Sequence, residues 1–145
     1  MKNLAITILL AVLGCVEIHA QQYKVITSVE SIVPSGVGRS RIINSLAERD
    51  YMEFTSTQSA ESGDRNKADR GEIRVKDYEE TKLLNFYNIG GIRFQNIAAN
   101  DTMISSMINT MIADGWELVF VTSGVESAGD KDNNGIFITR YIFKK

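Results

Sequence analysis

Hydrophobic and polar positions change period along the chain, and the changes mark its elements. Tyr23, Val25, Thr27 and Val29 alternate with Lys24, Ile26 and Ser28. β-Branched residues on a period of two predict a first strand. Pro34-Ser35-Gly36-Val37-Gly38-Arg39-Ser40 then reads as a turn-rich stretch, and Arg41-Ile42-Ile43 as a short strand leaving it. Tyr51-Met52-Glu53-Phe54-Thr55 and the alternating Glu72-Ile73-Arg74-Val75-Lys76 suggest two further strands. Between them, residues 56–71 hold no aliphatic side chain larger than Ala, which predicts a mobile loop. Lys82 to Ile89 suits either a buried helical turn or a strand, and Gly90-Gly91 ends it.

The period then changes to that of a helix. Ile104, Met107, Ile108, Met111 and Ile112 fall at i, i+3, i+4, i+7 and i+8, one apolar stripe opposite Ser105, Ser106, Asn109 and Thr110. Asn100 or Asp101 is placed to cap the N-terminus, and Gly115 to end the helix in a left-handed conformation. Trp116 to Thr122 reads as an apolar strand, residues 123–135 as a polar connection, and Ile136 to Phe143 as a last strand pairing antiparallel with it. The sum is an α+β fold: a small antiparallel sheet, one main amphipathic helix packed on one face, and a C-terminal β-hairpin. The last strand is apolar on both sides, with Phe137, Tyr141 and Phe143 against Ile136, Ile138 and Ile142. One helix covers one face, so the second face calls for residues 80–97 or another chain, which allows a homo-oligomer through that face.

The first twenty residues change the picture of where this domain works. Lys2, the apolar run from Leu4 to Gly14 and the small Ala20 read as a cleavable export signal, too short to span a bilayer. Cleavage after Ala20 leaves residues 21–145 as a single domain, secreted or periplasmic. Val12-Leu13-Gly14-Cys15 offers an alternative, a lipobox that would anchor the chain by a lipid at Cys15. Cys15 and His19 are the only Cys and His, and both leave with the signal. The mature chain then has no disulfide, and no Cys or His for nucleophilic, general-base or zinc chemistry. The net charge of −2 gives no basic excess, which argues against nucleic acid as a partner.

Asp114-Gly115-Trp116-Glu117-Leu118-Val119 follows an amphipathic stripe and precedes a strand closing in Tyr141-Ile142-Phe143-Lys144-Lys145. With Tyr23-Lys24-Val25 at the start, this ending resembles domain-of-unknown-function family 4177, small bacterial domains. The resemblance covers the last third of the chain and the first strand. It departs from the compact family in the long middle, residues 31–97. It implies a small αβ fold and a non-enzymatic role, and carries over no functional residue.

Two motifs carry candidate chemistry. Gly36, Gly38, Arg39 and Arg41 combine exposed N–H groups with guanidinium forks that suit a phosphate, sulfate or carboxylate. The segment lacks a P-loop Lys, and a flexible turn with solvated charges is the simpler account of it. Asp130, Asp132 and Asn134, with Gly135, follow the alternate-oxygen spacing of a calcium loop. Tyr141 stands where that loop needs a bidentate Glu, so this is no EF-hand, and a hairpin loop rich in turn residues competes with it. Calcium is the only cofactor suggested. Arg140 and Glu117 are expected to pair across the last two strands on the sheet rim. Trp116 and the Met103, Met107, Met111 series are expected in the core. Asp77, Glu79, Glu80 and Asp101 provide the carboxylates for a competing reading, a small exported hydrolase using acids and arginine. The leading expectation is a non-catalytic binding or interaction module of the bacterial cell envelope, its protein or small-molecule partner unspecified.

Overall fold

β1 (Tyr23–Ser31) forms where the alternation predicts it and becomes the middle strand of a five-stranded antiparallel sheet. The computed structural model describes residues 21–31, 39–126 and 135–145. One neighbour of β1 is β2 (Arg41–Ser45), which pairs in turn with β3 (Tyr78–Lys82) at the edge. Its other neighbour is β7 (Ile136–Lys144), which pairs with the opposite edge, β6 (Glu117–Glu126). The order is β3-β2-β1-β7-β6. A two-residue hairpin, β4 (Tyr87–Asn88) with β5 (Gly91–Ile92), stands apart from the sheet.

The α+β class and the single main helix stand as expected, but several elements differ from the sequence pattern. Tyr51–Phe54 is a 3-10 turn, not a strand. Asp50 caps it by accepting from Met52 N, and it pairs with no strand among the described residues. Glu72–Lys76 is not a strand either. Arg70–Ile73 forms one helical turn, α1, closed by a capping box in which Asp69 and Glu72 satisfy each other's end of the turn. Val75 and Ile73 suggested alternation, but local capping decides the backbone here. The strand follows at β3 instead. Residues 56–69 hold no helix or strand, and their hydrogen bonds stay local, as in Gln58 to the Asp64 carbonyl and Asn66 to the Glu53 carbonyl. Leu83 to Phe86 forms neither helix nor strand, and β6 continues four residues beyond the predicted strand.

The main helix α2 spans Phe94–Ala113. It begins well before Asn100 and Asp101, so neither is its cap. Arg93 stands at the cap position without a side-chain hydrogen bond. Asn100 lies inside the helix and is one of its two buried residues. The stripe facing the sheet is Asn100, Ile104, Met107, Ile108 and Met111, of which Ile104, Met107 and Ile108 are partly buried, and Ile112 turns outward, 53% exposed. Gly115 takes φ +86°, as its position at the helix end requires, and its N–H bonds back to the Ile112 carbonyl.

α2 packs on the face carrying Ile26, Ile42, Tyr141 and Phe143, which with Leu83 and Met111 form the buried core. The segment after β3 lies on this same side. Phe86 meets Phe137 with ring centroids 5.6 Å apart, and Asn85 accepts from Ser40 Oγ. Residues 80–97 therefore add to the helix layer and do not cover the second face of the sheet.

Trp116 is only partly buried. It packs against the core cluster, with Lys145 Nζ 5.9 Å from the ring centre. Trp116→Ala is accordingly expected to cost about 1–3 kcal/mol, less than truncation of a fully buried aromatic. Gly115→Val should cost about 1–2 kcal/mol through the positive φ alone. Urea unfolding of both variants checks the order, and a Trp116→Ala loss above that of a fully buried aromatic would contradict it.

Candidate functional site

Two surfaces are built by the sheet. The first is a cleft of about 350 Å3 between α2 and strands β1 to β3. Its floor is apolar, formed by Ile26, Ile42, Met107 and Met111, with Trp116 at one end. Its rim is polar, with Lys24, Asn44, Glu79 and Asp114. Asn44 Nδ2 donates to Glu79 Oε2 at 2.7 Å, while Asn44 Oδ1 is buried with no hydrogen-bond donor among the described residues. A buried acceptor left unmatched is costly, so a group that brings an N–H or O–H into this cleft would relieve it.

The second surface is the sheet face away from α2. The strand registers place its residues in rows. One row reads Thr122, Arg140, Thr27, Ile43, Glu80 from β6 to β3. The next towards the β6–β7 connection reads Gly124, Ile138, Val29, Arg41, Lys82. On the other side Phe120 and Ile142 stand beside Val25, with Tyr78 at the far edge. The three inner strands carry the aliphatic Val25, Val29, Ile43, Ile138 and Ile142, interrupted by Thr27, Arg41 and Arg140. Val25, Phe120 and Tyr78 are exposed, Phe120 by 60%. At its β2–β3 end Val75, on the segment leading into β3, borders this face beside Ile43, Tyr78 and Glu80.

The predicted site residues do not converge. Of the anion segment, Gly36 and Gly38 lie outside the described residues, and Arg39 is exposed. Arg41 is engaged on the open face: its Nη1 donates to the Ser40 carbonyl at 2.7 Å, and its Nε lies 3.7 Å from Glu80. Asp130, Asp132 and Asn134 also lie outside the described residues, as do residues 1–20 with Cys15 and His19. Among the described residues no group of three or more His, Cys, Asp or Glu side chains is placed to hold a metal ion. Glu79 and Glu80 are neighbours on a strand and so face opposite sides of the sheet, Glu79 towards Asn44 and Glu80 towards Arg41. Asp101 is exposed on α2.

The expected Arg140–Glu117 pair is not formed. Glu117 lies across from Lys144, 3.5 Å away, and Arg140 lies between Thr27 and Thr122. A bulge between Leu118 and Phe120 shifts the register of β6 in the interval that separates the two residues. Asn44 and the aliphatic rows of β1 and β2 were missed as site residues. Their signal was present, because Val25 and Val29 alternate with the buried Ile26 and Ser28, leaving apolar groups on both sides of β1.

No family model, curated protein or solved structure matches the chain. The resemblance to domain-of-unknown-function family 4177 rests on the residues quoted for it. Among the described residues, no helix is long and apolar enough to cross a membrane.

Proposed function

We propose that this chain is an exported, non-catalytic interaction module of the bacterial cell envelope, and that it acts through the open face of its sheet. The observation that carries the reading is the set of aliphatic side chains on the inner strands of that face, Val25, Val29, Ile43, Ile138 and Ile142, which stand among Thr27, Arg41 and Arg140, with Phe120 and Tyr78 at the edges. Apolar side chains gathered on one face favour association, because burying them removes apolar area from water. The sequence pattern of residues 1–20, read as an export signal, supports a role outside the cytoplasm. The reading is tested by using the tagged chain as bait on envelope extracts, beside Ile138→Glu on the open face and Met103→Glu on the helix. The expected result is that Ile138→Glu alone loses the captured material. Capture unchanged by Ile138→Glu but lost with Met103→Glu would move the function to the helix-side cleft.

A further inference from the structure

The two halves of the open face, either side of β1, carry groups that complement each other in three rows. At the β3 margin the outward residues are Tyr78, Glu80 and Lys82, and at the β6 margin the same rows end in Phe120, Thr122 beside Arg140, and Gly124. The aromatic of one margin thus shares its row with the aromatic of the other, and Glu80 shares its row with Arg140. Lys82 shares its row with Gly124, where an added Cβ would meet nothing within 4 Å. The hollow over Gly124 is bordered by Thr122, Ile138 and Arg140.

We propose that the open face binds a second copy of this chain, face to face, about a two-fold axis running along β1; this rests on the interaction reading above and names its partner. Rotation about that axis exchanges left and right while keeping each row level. β1 then faces β1 of the second copy, β7 faces β2, and β6 faces β3. Val25 and Val29 meet their own copies on the axis. Phe120 meets Tyr78, Lys82 lies over the hollow at Gly124, Arg41 lies over Ile138, and Arg140 lies over Ile43 with Glu80 on the adjacent strand, where Glu80 already pairs with Arg41. Packed sheets lie about 10 Å apart with strands about 4.8 Å apart, so long side chains at adjacent strand positions are within reach. A small tilt of the axis gives the crossing angle of about 30° that twisted sheets prefer.

The other two-fold in the sheet plane, running across the strands, is disfavoured. Passing through the row of Arg140 it sets Arg140 on Arg140 and Glu80 on Glu80. Passing through the row of Arg41 it stacks Arg41 and Lys82 on themselves. Like charges facing each other in a partly dried interface oppose association. The area is also sufficient. Five strands across and six to seven residues along give a flat footprint of about 500 Å2 per copy, which reaches the total of about 1,000 Å2 that marks a specific interface.

Sedimentation velocity of the full purified chain tests the assembly. At about 100 μM, above the micromolar dissociation constants of interfaces of this size, a dimer is expected. Ile138→Glu should raise the dissociation constant at least about 100-fold, and Val25→Lys, on the same face, should do the same. Circular dichroism and thermal melts identify any variant that fails to fold, and the second variant then decides. Arg140→Glu and Glu80→Lys should each weaken the dimer about tenfold, and the double exchange should recover most of the loss. Within one chain the two residues are three strands apart, about 14 Å, beyond the screening length in physiological salt. Recovery therefore reports contact between copies. A monomer at that concentration, a dimer indifferent to both face variants, or an exchange without recovery would each overturn the proposal. A monomer whose envelope capture is still lost with Ile138→Glu would leave the interaction reading standing with a different partner.

Discussion

Phe143→Ala is expected to cost about 3–5 kcal/mol, the range for truncating a fully buried aromatic. Phe143 is 0% exposed, the most buried large side chain among the described residues. It projects from β7, which is held on both sides by β1 and β6, towards α2. Leu118 lies opposite it on β6, and Met111 closes the core from the helix. The cavity therefore opens where three elements meet, and none can close it without leaving its ladder. A domain of this size has about 5–15 kcal/mol in total, so the loss removes a large share. No disulfide lies among the described residues to offset it, since the only Cys of the sequence is Cys15. Phe94→Ala, at a position 76% exposed on the first turn of α2, should stay within about 0.5 kcal/mol. Urea unfolding of the two variants measures the contrast. A Phe143→Ala loss under about 1 kcal/mol would mean that the core closes around the gap.

The sheet was legible where burial follows alternation. β1 alternates at a period of two, β2 and β7 carry short runs rich in β-branched and aromatic residues, and each formed close to its predicted limits. The helix was legible from Ile104 onwards for the same reason at a period of 3.6. Its first turns were not, because the stripe there passes through Asn100, a polar residue where the pattern calls for an apolar one. Reading Asn100 as a cap followed from its type, and the structure uses the same hydrogen-bonding groups inside the helix layer. The middle of the chain failed for a different cause. Asp50 and Asp69 direct short helical turns by binding nearby N–H groups, and such local bonds override the weak alternation that suggested strands at 51–55 and 72–76. The ladder of β3 depends on its pairing with β2, which one segment's pattern does not reveal. The open face was legible as a surplus of apolar positions on β7. The complementarity of its two halves needed the register of all five strands, and the bulge at Val119 alone alters which residues of β6 share a row with β7.

Asn100→Leu is expected to destabilise by about 2–4 kcal/mol, although it restores the apolar stripe of α2. Asn100 is 1% exposed. Its Oδ1 accepts from Leu84 N at 2.8 Å, and its Nδ2 donates to the Leu84 carbonyl and to Glu30 Oε1, each at 2.8 Å. The side-chain amide thus does for Leu84 what a neighbouring strand would do, pairing both its N–H and its carbonyl. It also ties that segment and the helix to Glu30 on β1. Nearby, Asn96 donates to the Asn85 carbonyl, and Ser40 Oγ donates to Asn85 while accepting from Ser31 N. These bonds hold the stretch after β3 against the helix layer, where Leu83 enters the core. Leucine fills a similar volume but leaves a backbone donor, a backbone acceptor and a carboxylate short of partners. Each such group costs about 1–3 kcal/mol when buried, and partial access to water at Leu84 lowers the sum. Hydrophobic gain at one position does not reach that figure, because the wild-type side chain is already packed. Asn109→Leu, at an exposed position on the same helix, should change stability by no more than about 0.5 kcal/mol. Hydrogen exchange separates a local from a global effect. The Leu84 amide should exchange faster in Asn100→Leu by more than the loss of global stability accounts for. A variant as stable as the wild type, with the Leu84 amide equally protected, would show that the stretch after β3 is held by Leu83 and Phe86 alone.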